Sequence, residues 1–286
     1  MLGIPLRYLV RHPAAAVKMA ADPLQTLTMM QDYYHSEQER KLPQCPYVAD
    51  PQWEQHLHAA LGAEWPCPAA AEFRELWPQV IAELQAKGID PGPEGFQWWN
   101  DGDAGLVRAA WCLVRHLKPK KVVETGVAHG MTSRFVLEAL KRNGNGGRLW
   151  SIDLPPFEKE WRAQVGAAVD VAGADRYAGM WTYIAGSSRR KLPKLLAGLG
   201  TIDLFIHDSL HSERNVRFEL ERAWAAMPGR GAFLVDDADA NWGFKNFTET
   251  FPVQQSMLGQ AEPTRPDSRC VSSTGMFGVI LKGPQA

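Results

Sequence analysis

The sequence predicts an α/β protein: a doubly wound, mostly parallel seven-stranded sheet with a helical extension at its N-terminal side. From about residue 101, short apolar runs alternate with amphipathic helical stretches, and two further β candidates close the chain. Before that point the chain is Pro-punctuated and helical, as in KLPQCPYVADP and EWPCPAA. The chain therefore divides near residue 100 into an extension (1–100) and a sheet domain (101–286).

The clearest helix of the extension is Ala69–Lys87, where Phe73, Leu76, Val80, Ile81 and Leu84 recur at helical spacing and Gly88 stops the run. The sheet domain opens with a helix over 103–117 that buries Leu106, Val107, Ala110, Trp111, Val114 and Leu117 behind an Asp103 N-cap. KVVETG then reads as a strand, Thr132–Arg142 as a helix, RLWSID as a strand and Lys159–Val171 as a helix. MWTYIAG, IDLFIHD and GAFLVDD read as strands separated by helices over Arg189–Leu199 and Ser212–Met227. A short helix near Gly243–Thr250 precedes two antiparallel-looking strands around Pro252–Met257 and Met276–Lys282.

Composition excludes several classes. With 45% hydrophobic and 22% charged residues the chain can bury a core, and disorder over its whole length is excluded. A net charge of −1, from 31 basic and 32 acidic residues, argues against a nucleic-acid partner. No apolar run reaches the length of a membrane span, and Arg7 interrupts the apolar N-terminal stretch, so neither a span nor a cleaved signal peptide is expected. Cys45, Cys67, Cys112 and Cys270 are scattered without a C-x-x-C pair, which predicts reduced cytoplasmic thiols and no structural zinc. Eleven tryptophans, with Trp53, Trp65, Trp77, Trp98 and Trp99 in the first hundred residues, argue that the extension packs.

In a doubly wound sheet ligands sit beyond the carboxyl ends of the strands. The first strand ends in Glu124, Thr125 and Gly126, and its turn runs through Gly130 to Thr132 and Ser133, an E-x-G-x-x-x-G pattern. Glycines there let a ligand approach the backbone, and the helix start offers free N–H groups. The second strand ends at Asp153, 23 residues after Gly130, where a carboxylate can take both hydroxyls of a ribose. The fourth and fifth strands end in Asp208 and in Asp236-Asp237. Three carboxylates gathered there make an oxygen cage for a hard cation such as Mg²⁺, and His211, three residues after Asp208, is placed to take a proton. The bland reading, a tight turn with a solvated aspartate and a helix start decorated by Asp208, Ser212 and Glu213, leaves the second acidic pair unexplained.

The glycine turn and following acid resemble motif I and its acidic partner in class I S-adenosylmethionine-dependent methyltransferases. VVETGVAHGMTS, LWSIDLPP, IDLFIHDSLHSERNVRFELERAW and GAFLVDDADAN are similar to the family of metal-dependent macrolide sugar O-methyltransferases and a cephalosporin-biosynthesis protein of the same fold. The resemblance covers about residues 100–282 and implies a Rossmann-like methyltransferase fold. It implies S-adenosylmethionine on Glu124, Thr125, Gly126, Gly130, Thr132, Ser133, Asp153 and Ser187. It further implies Mg²⁺ on Asp208, Asp236 and Asp237, with His211 as general base. The acidic pair is Asp-Asp here where that family has Glu-Asp, a shorter reach that shifts the metal or adds a bridging water. The implied activity is methylation of a small hydroxylated molecule such as a sugar or polyhydroxylated natural product, by a cytoplasmic homo-oligomer.

Other residues carry two readings each. His129 faces solvent or the methionine moiety; Trp98 and Trp99 form a lid or join the core; Ser187 and Ser188 reach the adenine or cap the next helix. Asn241 is a candidate substrate contact, and Arg7, Arg11 and Lys18 lie on an amphipathic stretch. Two competing functions are another enzyme class on the same scaffold and a noncatalytic cofactor-binding module. Methyl release with a panel of hydroxylated acceptors separates them.

Overall fold

The computed structural model describes residues 17, 19–43, 45–97, 102–173, 175–265 and 275–283. The candidates Trp98, Trp99, Cys270, Arg7, Arg11 and Lys18 lie outside the described residues. Five strands pair in parallel: Lys121–Thr125 (β1), Arg148–Asp153 (β2), Trp181–Ala185 (β3), Leu204–His207 (β4) and Gly231–Val235 (β5). Gln255–Gln260 (β6) and Met276–Lys282 (β7) complete a seven-stranded sheet in the order β3-β2-β1-β4-β5-β7-β6. Only β7 runs against the others, because it is antiparallel to both β5 and β6. The expectation of two antiparallel terminal strands is thus corrected to one.

Alternation along the strands explains the double winding. Val122, Leu204, Ile206, Ala232 and Leu234 face one helical layer, whereas Val123, Phe205, Phe233 and Val235 face the other. The chain order places Pro23–Glu39 (α1), Trp53–Leu61 (α2), Pro68–Gln85 (α3) and Ala104–Leu117 (α4) before β1. Met131–Asn143 (α5) joins β1 to β2. The short turns Lys159–Arg162 (α6) and Ala167–Asp170 (α7) lead to β3. Ser188–Leu199 (α8), Glu213–Ala225 (α9) and Gly243–Thr250 (α10) cover the second face.

Two elements depart from their sequence expectation. The helix expected over Lys159–Val171 breaks into α6 and α7 at Gly166, which adopts φ +79°. There the backbone runs beneath the β1–α5 turn, with Gly166 N–H donating to the Ala128 carbonyl and Ala168 N–H to that of His129. A Cβ on Gly166 would meet the Trp181 ring at 2.7 Å, so the close crossing overrides the helical pattern. The penultimate strand lies at Gln255–Gln260 rather than Pro252–Met257, since its ladder with β7 begins at Gln255 opposite Leu281. Pro252 has no N–H to give such a ladder.

The extension shares the core of the sheet domain. Phe73 of α3 stacks on Trp77 (5.4 Å between ring centres) and lies 5.0 Å from Phe135 of α5. Trp111 of α4 is fully buried and donates its indole N–H to the Ala69 carbonyl at 2.7 Å. Trp53 meets Phe277 of β7 edge-on at 5.0 Å. Trp65, by contrast, stays 39% exposed, so tryptophan density overstates packing there. Helix α1 sits on the other side: Asp32 pairs with Arg189 (2.9 Å) and Arg214 (3.4 Å), and Glu39 accepts the backbone N–H groups of Glu213 and Arg214 at the start of α9. No helix among the described residues is long and apolar enough to cross a membrane.

Because Phe73 fills the joint between α3, α4 and α5, Phe73→Ala should destabilise the whole protein by about 3–5 kcal/mol, the usual cost of a buried aromatic cavity. Chemical denaturation followed by tryptophan fluorescence should show one shifted transition. A separate early transition, with the sheet domain unaffected, would contradict the shared core.

Candidate active site

The register of the parallel ladder builds the site. Thr125 pairs with Ile152 and His207, and His207 pairs with Val235, so the next residue of each strand falls in one row: Gly126, Asp153, Asp208 and Asp236. The ladder continues through that row, with Gly126 N–H donating to Ile152, Asp208 N–H to Thr125 and Asp236 N–H to His207 at 2.8 Å each. Gly126 has φ +87°, and a Cβ there would lie 1.6 Å from the Asp208 carbonyl oxygen. No other residue fits between β1 and β4. Gly130, at φ +80°, ends the turn and begins α5.

The glycine turn and Asp153 come together as the sequence expects. Asp153 Oδ1 accepts the Val127 N–H at 3.2 Å. Burial raises its carboxyl to about 6, against the lowering effect of that bond and of the Tyr183 hydroxyl. Tyr183, on the neighbouring β3, is 37% exposed and was not singled out from sequence. Its only signal there is a polar-tipped aromatic two register positions from the Asp153 strand end. Glu124 is fully buried and accepts from Ser133 Oγ (2.5 Å) and Ser151 Oγ (2.6 Å), while its Oε1 has no partner among the described residues. Burial raises Glu124 to about 7, with the Asp153 charge adding to the effect.

Several predicted contacts are engaged elsewhere. Ser133 is fully buried against Glu124, so its hydroxyl braces the strand end from within. Thr125 points to the opposite side of the strand, where its hydroxyl donates to Glu219 Oε2 at 2.5 Å. Thr132 is buried in the first turn of α5. Ser187 donates to Gln25 Oε1 of α1 at 2.8 Å and makes no side-chain cap to α8, contrary to its capping alternative. His129 is buried rather than solvent-facing: its Nε2 lies 3.0 Å from Gln164 Oε1 and its ring meets Phe96 at 5.0 Å. Asn241 is buried, and its Oδ1 accepts the Gly243 N–H at 2.7 Å at the start of α10.

At the β4 and β5 ends, one ligand atom each from Asp208, His211 and Asp236 lie within 4.8 Å of one another. Asp237, expected as a third carboxylate ligand, is outside this cluster. Its residue adopts φ +45°, and its Oδ2 lies 3.4 Å from His211 Nδ1. His211 Nε2 is 3.9 Å from Asp208 Oδ1. Burial and the Asp236, Glu124 and Asp237 charges push Asp208 well above the usual carboxylate range; burial and Asp237 raise Asp236 to about 7. Asp103 joins this field: burial, then Asp236, lifts it to about 8, and its buried Oδ2 has no partner among the described residues. Like charges held this close favour a bound cation, and two carboxylates with an imidazole are a suitable donor set for a divalent one.

The acid that braces the end of β4 and the loop after it was missed from sequence. Glu219 of α9 is fully buried and gathers His207 Nδ1 (2.7 Å), Thr125 Oγ1, Ser209 Oγ (2.8 Å) and Asn215 Nδ2 (3.0 Å). Burial alone would raise its carboxyl, but the His207 imidazole and these hydrogen bonds hold it at about 2. The available signal was an acid on the apolar stripe Val216, Leu220 and Ala223.

Residues 123–238 match a family model described as a methyltransferase domain. The match covers the glycine turn and the strand-end acids Asp153, Asp208, Asp236 and Asp237. Among solved structures, it is similar to the O-methyltransferase TomG from Streptomyces achromogenes, involved in tomaymycin synthesis and solved in complex with SAM. Identity is 16%, over 72% of this chain and 89% of that one, with a TM-score of 0.50. It is also similar to cofactor-bound Rv0187 from MTB, at 17% identity over 84% of this chain and 100% of the other, TM-score 0.50. At these identities the likeness establishes the fold. Among curated proteins, none matches this chain in sequence.

Glu219→Gln gives a test with a sign. A carboxyl held at about 2 in the folded state and near 4.5 when unfolded stabilises the fold above pH 4.5, and that stability disappears as pH falls toward 2. The variant should lose on the order of 3 kcal/mol at pH 7, with the gap to the parent narrowing below pH 4.5. Urea unfolding at pH 7 and pH 3 checks this; an equal gap at both values would contradict it.

Proposed function

We propose that the protein is an S-adenosylmethionine-dependent O-methyltransferase that acts, with a divalent cation such as Mg²⁺, on a small hydroxylated molecule. The observation that carries the reading is the single register row joining the glycine turn and Asp153 to Asp208 and Asp236. When bound, S-adenosylmethionine supplies an electrophilic methyl group and the cation lowers the pKa of an acceptor hydroxyl. Gly126 and Gly130 let the cofactor approach the backbone, and Asp153 accepts the ribose hydroxyls. A positive charge bound there offsets the burial and like-charge repulsion that raise the carboxyls of Glu124, Asp103 and Asp208. Asp208 and Asp236 hold the cation.

In this reading His211 takes the acceptor proton, and Asp237, 3.4 Å from Nδ1, orients the ring. Asp237 thus serves His211 rather than completing the cage. A second reading, favoured by the 4.8 Å cluster, makes His211 the third ligand. Vicinal oxygens, as on a sugar or polyhydroxylated natural product, suit a cation held on one side only by protein. A cytoplasmic homo-oligomer completes the proposal, supported by the free thiols of Cys45, Cys67 and Cys112 and by exposed Leu24, Leu27 and Tyr34 along one side of α1.

Three outcomes test this function. Methyl transfer to a panel of hydroxylated acceptors should stop in excess chelator and return with Mg²⁺; full turnover in chelator would remove the cation from the reaction. His211→Ala should keep cation affinity while losing roughly 10²–10⁴-fold in rate, the contribution of a positioned base. Lost cation affinity would instead establish the ligand role. Asp153→Ala should weaken cofactor binding by about 1.5–3 kcal/mol, the range for a hydrogen bond to a charged group. Calorimetry showing equal affinity would exclude Asp153 from the ribose.

A further inference from the structure

At the opposite edge of the sheet, three residues far apart in sequence meet. His58 lies in the last turn of α2, Cys67 immediately precedes α3, and His116 lies in the last turn of α4, just before β1. One ligand atom from each falls within 4.8 Å of the others, and Cys67 Sγ is 3.1 Å from His116 Nε2. His58 is fully buried, and its ring lies 5.1 Å from that of His116. Its Nδ1 sits 2.6 Å from the Glu54 carbonyl oxygen, which fixes the proton on Nδ1 and leaves a lone pair on Nε2. That Nε2 is buried without a hydrogen-bond partner among the described residues. A buried nitrogen left unmet is costly, and an imidazole anchored through its other nitrogen to a carbonyl is how proteins present a metal ligand.

We propose that His58, Cys67 and His116 form a second metal site, one that binds Zn²⁺ and ties the extension to α4. The donor set decides the ion. One thiolate and two imidazoles suit tetrahedral Zn²⁺ at a borderline-soft site, whereas Asp208 and Asp236 at the other edge offer oxygen to a harder cation. The fourth position falls to water on the side of His116, the half-buried member. Binding breaks the Cys67 S–H bond, forms Zn–S and releases the proton to solvent. Since α2 and the start of α3 belong to the extension and α4 to the sheet domain, the ion fastens one to the other. The site is remote from the strand-end carboxylates, so its occupancy is independent of methyl transfer.

Co²⁺, which takes Zn²⁺ sites and reports thiolate ligation by an intense near-ultraviolet charge-transfer band, is the probe. Titrated into reduced full-length protein, Co²⁺ should give the band, saturating at one equivalent, and Zn²⁺ should erase it. The band should persist in Asp208→Asn and in Cys45→Ser and vanish in Cys67→Ser. No charge-transfer band in the folded wild-type chain at excess Co²⁺ would overturn the proposal, whatever the variants do. A band that survives Cys67→Ser would overturn it as well.

Discussion

Between β1 and β4 the backbones approach so closely that residue 126 can carry no side chain: a Cβ would overlap the Asp208 carbonyl oxygen. That contact fixes where β1 turns and where β4 ends, and the parallel register carries the alignment outward to Asp153 and Asp236. A slip of one residue in any of these strands would turn its terminal acid away from the row and its apolar residues to the wrong face. The functional edge is therefore as strongly specified as the core, since the same ladder sets both.

Holding five acids near one edge is electrostatically unfavourable without compensation, and the fold compensates unevenly. Glu219 is compensated from within, by His207 and by hydroxyls and amides from β1, the β4 loop and α9, and so remains charged. Glu124, Asp103, Asp208 and Asp236 receive less help, and each is pushed upward. The contrast separates the acid that braces the loop bearing His211 from the acids left to meet a positively charged ligand.

Period and strand-end chemistry made much of this visible in the sequence. Helix α4 and strand β7 fall where apolar spacing puts them, and Gly126, Asp153, Asp208 and Asp236 follow from reading strand ends. What stayed hidden depends on chain crossings. Gly166 breaks a helix because Trp181 and the β1–α5 turn lie against it, and His129 is buried because Phe96 reaches over from the extension. Asp237 leaves the carboxylate cluster through a left-handed backbone that no spacing rule announces. His58 and His116 lie in two helices, Cys67 just before a third, and the three carry no recognisable interval, so only their packing brings them together.

The central claim is that the cofactor's methyl group and a divalent cation meet at the same strand ends. Paramagnetic relaxation tests it directly, using S-adenosylmethionine carrying a ¹³C-labelled methyl group and Mn²⁺ as the cation. Mn²⁺ should strongly broaden the methyl resonance of the bound cofactor in the parent protein, and Asp236→Asn should abolish the broadening while the cofactor still binds. A sharp methyl resonance with both ligands bound would place the cation elsewhere and contradict the account.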